Sequence, residues 1–78
     1  MKKLYIRNMK AEDARAFLDK NIDSAYFGGE DIIRVVHGRG DILKNITRTA
    51  AEEYPYSELL DDFYGDMNPG VTYIKFKR

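Results

Sequence analysis

The spacing of apolar residues changes several times along the chain, and each change marks a new element. Leu4-Tyr5-Ile6-Arg7 has the β-branched and aromatic character of a short strand and ends at Asn8, a residue suited to turns and caps. From Lys10 to Phe27, the residues Ala14, Phe17, Leu18, Ile22 and Ala25 recur at intervals of three and four, which places them on one helical face. Glu12 and Asp13 suit the positive end of this helix, Asn8 is expected to cap it because Lys10 is a poor N-cap, and Gly28-Gly29 supplies a left-handed exit. Asp31 to Val36 gives, after Asp31 itself, a nearly continuous apolar run interrupted by Arg34, which predicts a central strand buried on both faces between helices. Gly38-Arg39-Gly40 breaks that strand. Asp41, a good N-cap, then opens a helix with the stripe Ile42, Leu43, Ile46, Ala50 and Tyr54, and Pro55 stops it by removing a backbone donor.

The pattern beyond Pro55 predicts a strand from Glu58 to Tyr64, a turn over Gly65-Asp66-Met67-Asn68-Pro69-Gly70, and a final strand over Val71 to Lys77 with Thr72, Ile74 and Phe76 on one side. The last two strands are expected to form a hairpin. The order is therefore β-α-β-α-β-β, an α/β fold in which the first two strands run parallel through a right-handed crossover. Their C-terminal ends then lie side by side, where open α/β sheets usually hold ligands. Arg7 and His37 stand at those two ends.

Composition narrows the setting. A chain of 78 residues has room for one compact domain over residues 1–78, and a hydrophobic content of 44% argues against disorder. There is no cysteine, which excludes disulfides and thiolate zinc sites and suits a reducing cytoplasm. No apolar run approaches the roughly 20 residues that cross a bilayer, so no membrane association is expected. Thirteen basic residues balance thirteen acidic ones, so any affinity for nucleic acid must be local. Lys2, Lys3, Arg7, Lys10, Arg34, Arg39, Lys44 and Arg48 lie early, whereas Glu52, Glu53, Glu58, Asp61, Asp62 and Asp66 lie late, so a fold that gathers the first group makes one basic face.

The Gly38-Arg39-Gly40 loop lies between a strand and a helix, where glycine lets the backbone approach a bound group and the helix offers N–H groups to an anion. Phosphate is the natural ligand, with Arg7, Arg39 and Lys44 adding charge-assisted hydrogen bonds. A turn that merely reverses the chain is the commoner use of such glycines. His37 has three readings: an acid/base or ligand, an anion contact, or a strand-end residue bonded to the backbone. It is the single histidine, so a dedicated metal site is not expected. Exposed tyrosines can stack on bases, although core or rim packing is their more frequent fate.

Three stretches together resemble the Smr (small MutS-related) domain family, in the form found at the C-terminus of bacterial MutS2. Leu4-Tyr5-Ile6-Arg7-Asn8-Met9-Lys10-Ala11-Glu12-Asp13-Ala14 is similar to the opening Leu-Asp-Leu-Arg-Gly signature and its following helix. His37-Gly38-Arg39-Gly40-Asp41-Ile42-Leu43-Lys44 is similar to the His-Gly-x-Gly-x-Gly signature, and Gly70-Val71-Thr72-Tyr73-Ile74 to the closing Gly-x-Thr strand.

The resemblance implies a two-layer sandwich with a mixed four-stranded sheet, similar to the C-terminal domain of a bacterial translation initiation factor. It also implies nucleic-acid binding and, in several members, endonuclease activity on DNA or RNA. On these positions His37 and Arg7 are the expected catalytic residues, and Gly38, Arg39, Gly40, Lys44, Lys10 and Arg48 the expected nucleic-acid contacts. A divalent cation is the one cofactor the family leaves open. The implied partners are DNA or RNA, the ribosome, and the rest of a larger parent chain engaged in DNA repair or ribosome rescue.

The sequence departs from the family at three points. Tyr5 replaces the Asp implicated in cleavage and offers no carboxylate chemistry. Asn8 replaces a Gly in a turn. The glycine loop lacks its third Gly, with Asp41 nearby; a binding module without cleavage is the alternative these changes suggest.

Overall fold

The computed structural model describes residues 1–60 and 68–78. Its elements are β1 (Lys2–Tyr5), α1 (Ala11–Phe27), β2 (Ile32–Val36), α2 (Asp41–Glu53), β3 (Ser57–Leu59) and β4 (Val71–Phe76). The sheet order is β1-β2-β4-β3. β2 is parallel to β1, with Leu4 opposite Val35 and Tyr5 opposite Val36, and antiparallel to β4, with Val35 opposite Thr72. β3 closes the far edge antiparallel to β4. This is the mixed four-stranded α/β sheet that the element order predicts.

Alternation along the strands decides where the core sits. Leu4, Ile6, Ile33, Val35, Ile74 and Phe76 point to one side and meet Ala14, Leu18, Ile22 and Ala25 of α1 and Ala50 and Ala51 of α2. Small alanines on both helices allow close approach to the sheet and to each other, so both helices cover the same face. The result is a two-layer sandwich, and it corrects the expectation that β2 is buried on both sides: its burial alternates, with Ile33 and Val35 buried and Ile32, Arg34 and Val36 partly open. An apolar strand in the middle of a sheet needs only one covering layer when its other face carries a long side chain such as Arg34, whose Nε donates to the Tyr73 hydroxyl at 3.2 Å.

Local chemistry explains the element ends. α1 leaves through a paired closure in which Glu30 N–H donates to Ala25 O at 3.0 Å and Gly29 N–H to Tyr26 O at 3.2 Å. Gly29, at φ +87°, takes the left-handed position this closure requires. Both expected N-caps are displaced. Asn8 sits two residues before the Lys10 cap of α1, with φ +74° in the preceding turn, and α2 is capped by Gly40, with Asp41 already inside the helix. Neither cap makes a side-chain hydrogen bond, so the first amides of both helices are left without capping oxygens. Ile42, expected on the buried stripe, is 69% exposed because the buried face of α2 runs through Thr47, Ala50 and Ala51.

β3 is shorter than the strand expected over Glu58 to Tyr64 and begins one residue earlier. The rest of that strand from Asp61, and the turn from Gly65 to Met67, lie outside the described residues. Buried hydroxyls are satisfied locally: Thr47 donates to Leu43 O at 2.8 Å and Ser57 to Ala51 O at 2.7 Å. No helix among the described residues is long and apolar enough to cross a membrane. Ile74 is fully buried on β4 between its partners Ile33 and Leu59. Ile74→Ala is therefore expected to lower unfolding free energy by about 2–5 kcal/mol in urea titrations, whereas a loss well under about 1 kcal/mol would move the core elsewhere.

Candidate functional site

The parallel pairing of β1 and β2 delivers both strand exits to one edge of the sheet. Beyond β1, Ile6 N–H donates to Val36 O at 3.0 Å, which extends the ladder, and Asn8 then turns the chain toward α1. Beyond β2, the amides of His37 and Gly38 both donate to Gly70 O at 3.0 Å, so the start of the glycine loop is stitched to the residue preceding β4. Gly38 adopts φ +84°, and a Cβ there would meet Arg7 Cγ at 3.4 Å. The left-handed backbone favours glycine at this position, and the Arg7 stem packs against it at ordinary contact distance. Gly70 is the more tightly confined, with a Cβ reaching the Gly38 backbone at 3.2 Å.

These constraints shape a hollow of about 370 Å³ at the N-terminus of α2, lined by Arg7, Asn8, His37, Gly38, Arg39, Gly40, Asp41, Ile42 and Leu43. Two arginines border it, together with the first turn of α2, whose amides have no side-chain cap, and the positive end of the α2 dipole. Such a rim suits an anion with several oxygens, because Arg offers paired donors and the helix amides add uncharged ones. Asp41 places one carboxylate on the same wall. Of the residues expected from sequence, Arg7, His37, Gly38, Arg39 and Gly40 come together here. Lys44 lies one turn further along α2, Arg48 about two turns along it, and Lys10 caps α1; none of these three lines the hollow. Gly38 contributes space rather than a donor, since its amide is taken by Gly70.

His37 is 2% exposed and has a partner at each nitrogen. Nδ1 lies 2.6 Å from Gly38 O, and a carbonyl only accepts, so Nδ1 carries the proton and donates. Nε2 of the neutral ring then accepts from the Thr72 hydroxyl at 2.8 Å. The ring is thus held by the protein at both nitrogens, once by a backbone carbonyl and once by a side-chain hydroxyl. Thr72 escaped sequence reasoning; its place beside Gly70 in the closing strand was visible, but its bond to His37 depends on the β2–β4 register.

Among the described residues no group of three or more His, Asp or Glu side chains comes together that could hold a metal ion. A larger hollow of about 430 Å³ lies between the helices; there Arg15 pairs with Asp19 and Glu53, Tyr54 donates to Asp23, and Lys20 also stands on the wall.

Burial pushes the His37 imidazole below its ordinary value of 6.5; the Gly38 carbonyl opposes this, and the Lys44 charge adds to it. A histidine lowered on folding favours the folded state above the unfolded pKa and loses that contribution as pH falls, because the unfolded chain takes up the proton first. The urea midpoint is expected to stay level above about pH 7 and to decline as pH drops through roughly 6.5. In His37→Gln this decline should be absent until carboxylates titrate. A wild-type midpoint that rises on acidification through this window would contradict the buried neutral ring.

Comparison with known proteins places this geometry in context. The family model for the Smr domain matches residues 4–77. The chain is 30% identical over 74 residues to Endonuclease MutS2 of Caldicellulosiruptor bescii and 33% identical over 81 residues to Endonuclease MutS2 of Clostridium botulinum strain ATCC 19397, covering 92% of this chain in each case. It spans 9% of the length of those relatives. The crystal structure of the Smr domain of Thermus thermophilus MutS2 superposes with a TM-score of 0.85 over 100% of both chains at 22% identity, a likeness of fold. A family match over nearly the whole chain leads to one conclusion: the chain belongs to the Smr domain family.

Proposed function

We propose that the domain is a nucleic-acid-binding module of the endonuclease type, gripping the phosphodiester backbone of DNA or RNA at the Arg7–Arg39 rim. The observation that carries this reading is the convergence of two arginines on the uncapped N-terminus of α2. In a chain of zero formal net charge, that local concentration of donors supplies what the overall composition does not. The domain works within a larger MutS2-like protein, in the cytoplasm, on nucleic acid met in DNA repair or ribosome rescue. Larger neighbours in the parent chain then provide most of the affinity. Lys44, Lys10 and Arg48 extend the electrostatic footprint away from the hollow.

Cleavage is the second reading, favoured by the relatives' name and by Arg7, which faces the space where a phosphoryl group gaining negative charge would sit. In that reaction Arg7 stabilises charge, while His37 acts through the loop it holds, because both of its nitrogens are engaged. No carboxylate stands at position 5 to serve as base or cation ligand. Binding is the activity the geometry supports best.

Titration of a labelled oligonucleotide across a salt series tests this. Affinity should fall steeply with salt, and Arg7→Ala and Arg39→Ala should each lower the log–log slope by about one while weakening all sequences alike. Absence of binding at low salt would refute the assignment. Incubation of the same strand with excess protein separates the second reading, which requires cleavage products that diminish in Arg7→Ala.

A further inference from the structure

Arg7 and Arg39 also border a second hollow, of about 320 Å³, on the face of the sheet that the helices leave open. Its remaining lining is Val36, Gly38, Asn68 and Gly70. Val36 pairs in register with Tyr5, and side chains on adjacent strands at matched positions lie side by side about 5 Å apart. Leu4 and Ile6 point into the core, so Tyr5 points outward with Val36. Tyr5 is 60% exposed, an unusual outcome for an aromatic residue in a strand whose neighbours are buried.

The other described tyrosines have evident structural work. Tyr26, Tyr54 and Tyr56 form a cluster with Phe76, in which Tyr26 and Tyr56 stack at 4.8 Å, and Tyr73 is buried beside Arg34. Tyr5 makes no ring contact among the described residues. On the same face Lys3 precedes Tyr5 by two residues and stands opposite Arg34, and neither β1 nor β2 carries a carboxylate.

We propose that Tyr5 and Val36 form the seat of an unpaired nucleobase, in a strand whose backbone crosses the ridge made by Arg7 and Arg39. This rests on the nucleic-acid reading above and specifies its substrate class. Phosphates occupy the hollow at the head of α2, and the attached base turns down onto the open sheet. A phenol ring beside an isopropyl group presents a flat apolar surface that every base can cover, with hydrogen-bonding specificity left low. Bases inside a duplex are paired and stacked and cannot reach it, so single-stranded segments or unstacked junctions are selected.

The test is a double comparison by fluorescence anisotropy at low salt, using a fluorescein-labelled single-stranded oligoadenylate and a strand of equal length with abasic sites. Tyr5→Ala should weaken binding of the oligoadenylate about tenfold and leave the abasic strand unchanged, and Tyr5→Phe should restore the loss. Arg39→Ala should weaken both strands alike. Equal effects of Tyr5→Ala on the two strands, or none on either while Arg39→Ala still acts, would overturn the stacking seat and leave the phosphate rim standing. Failure of the wild type to bind either strand would overturn both. Tyr5 is exposed, and a thermal melt of each variant against wild type identifies any change that comes from loss of fold.

Discussion

Two parallel strands present a shared rim only when the exit of each is fixed, and in this domain the fixing falls to the imidazole of His37. Closed between the Thr72 hydroxyl and the Gly38 carbonyl, it binds the end of β2 to β4 and to its own loop. The doubly accepting carbonyl of Gly70 completes the clamp. Each such hydrogen bond contributes only about 0.5–1.5 kcal/mol net, but leaving a buried ring nitrogen without a partner costs about 1–3 kcal/mol, so the arrangement strongly disfavours any loop position that breaks it. Arg7 then has one route out of the sheet, across the bare backbone of Gly38.

The electrostatic character of the domain follows from which charges are left uncommitted by folding. Between the helices, acidic and basic groups neutralise one another through Arg15 and its two carboxylate partners. At the opposite end of the sheet, Arg78 lies over the Tyr26 ring at 4.6 Å and donates to backbone carbonyls of Tyr26 and Glu30, which ties the last residue to the aromatic cluster. Among the described residues the Arg7–Arg39 rim has no comparable pairing with a carboxylate, beyond the presence of Asp41 on its wall. In a chain of balanced charge these two arginines therefore stand at the ends of the parallel strands.

Much of this was legible in the order of residues. Periodicity locates both helices and three of the strands, and the parallel crossover places Arg7 beside the glycine loop. What escaped was decided at longer range. The apolar run of β2 suggested two covering layers, yet only alternation within a folded sheet shows which side is covered. Ile42 fits a helical stripe by spacing, but the face of α2 that meets the sheet is chosen by Thr47, Ala50 and Ala51. Asp41 and Asn8 have good capping chemistry and occupy the wrong positions by one and two residues, because the turns before each helix are set by Gly40 and by the left-handed Asn8 itself. The histidine was conspicuous in the sequence for its chemistry; its burial, and the threonine that explains it, required the register of β4.

On the proposed reading this rim, rather than the aromatic end or the hollow between the helices, is where the domain meets a polyanion. Backbone amide NMR with an unlabelled single-stranded oligonucleotide tests this most directly. Shift changes are expected to concentrate at Arg7, Asn8, Arg39, Gly40 and the first turn of α2. Changes concentrated at Phe27, Tyr56 and Arg78, with the glycine loop unmoved, would contradict it.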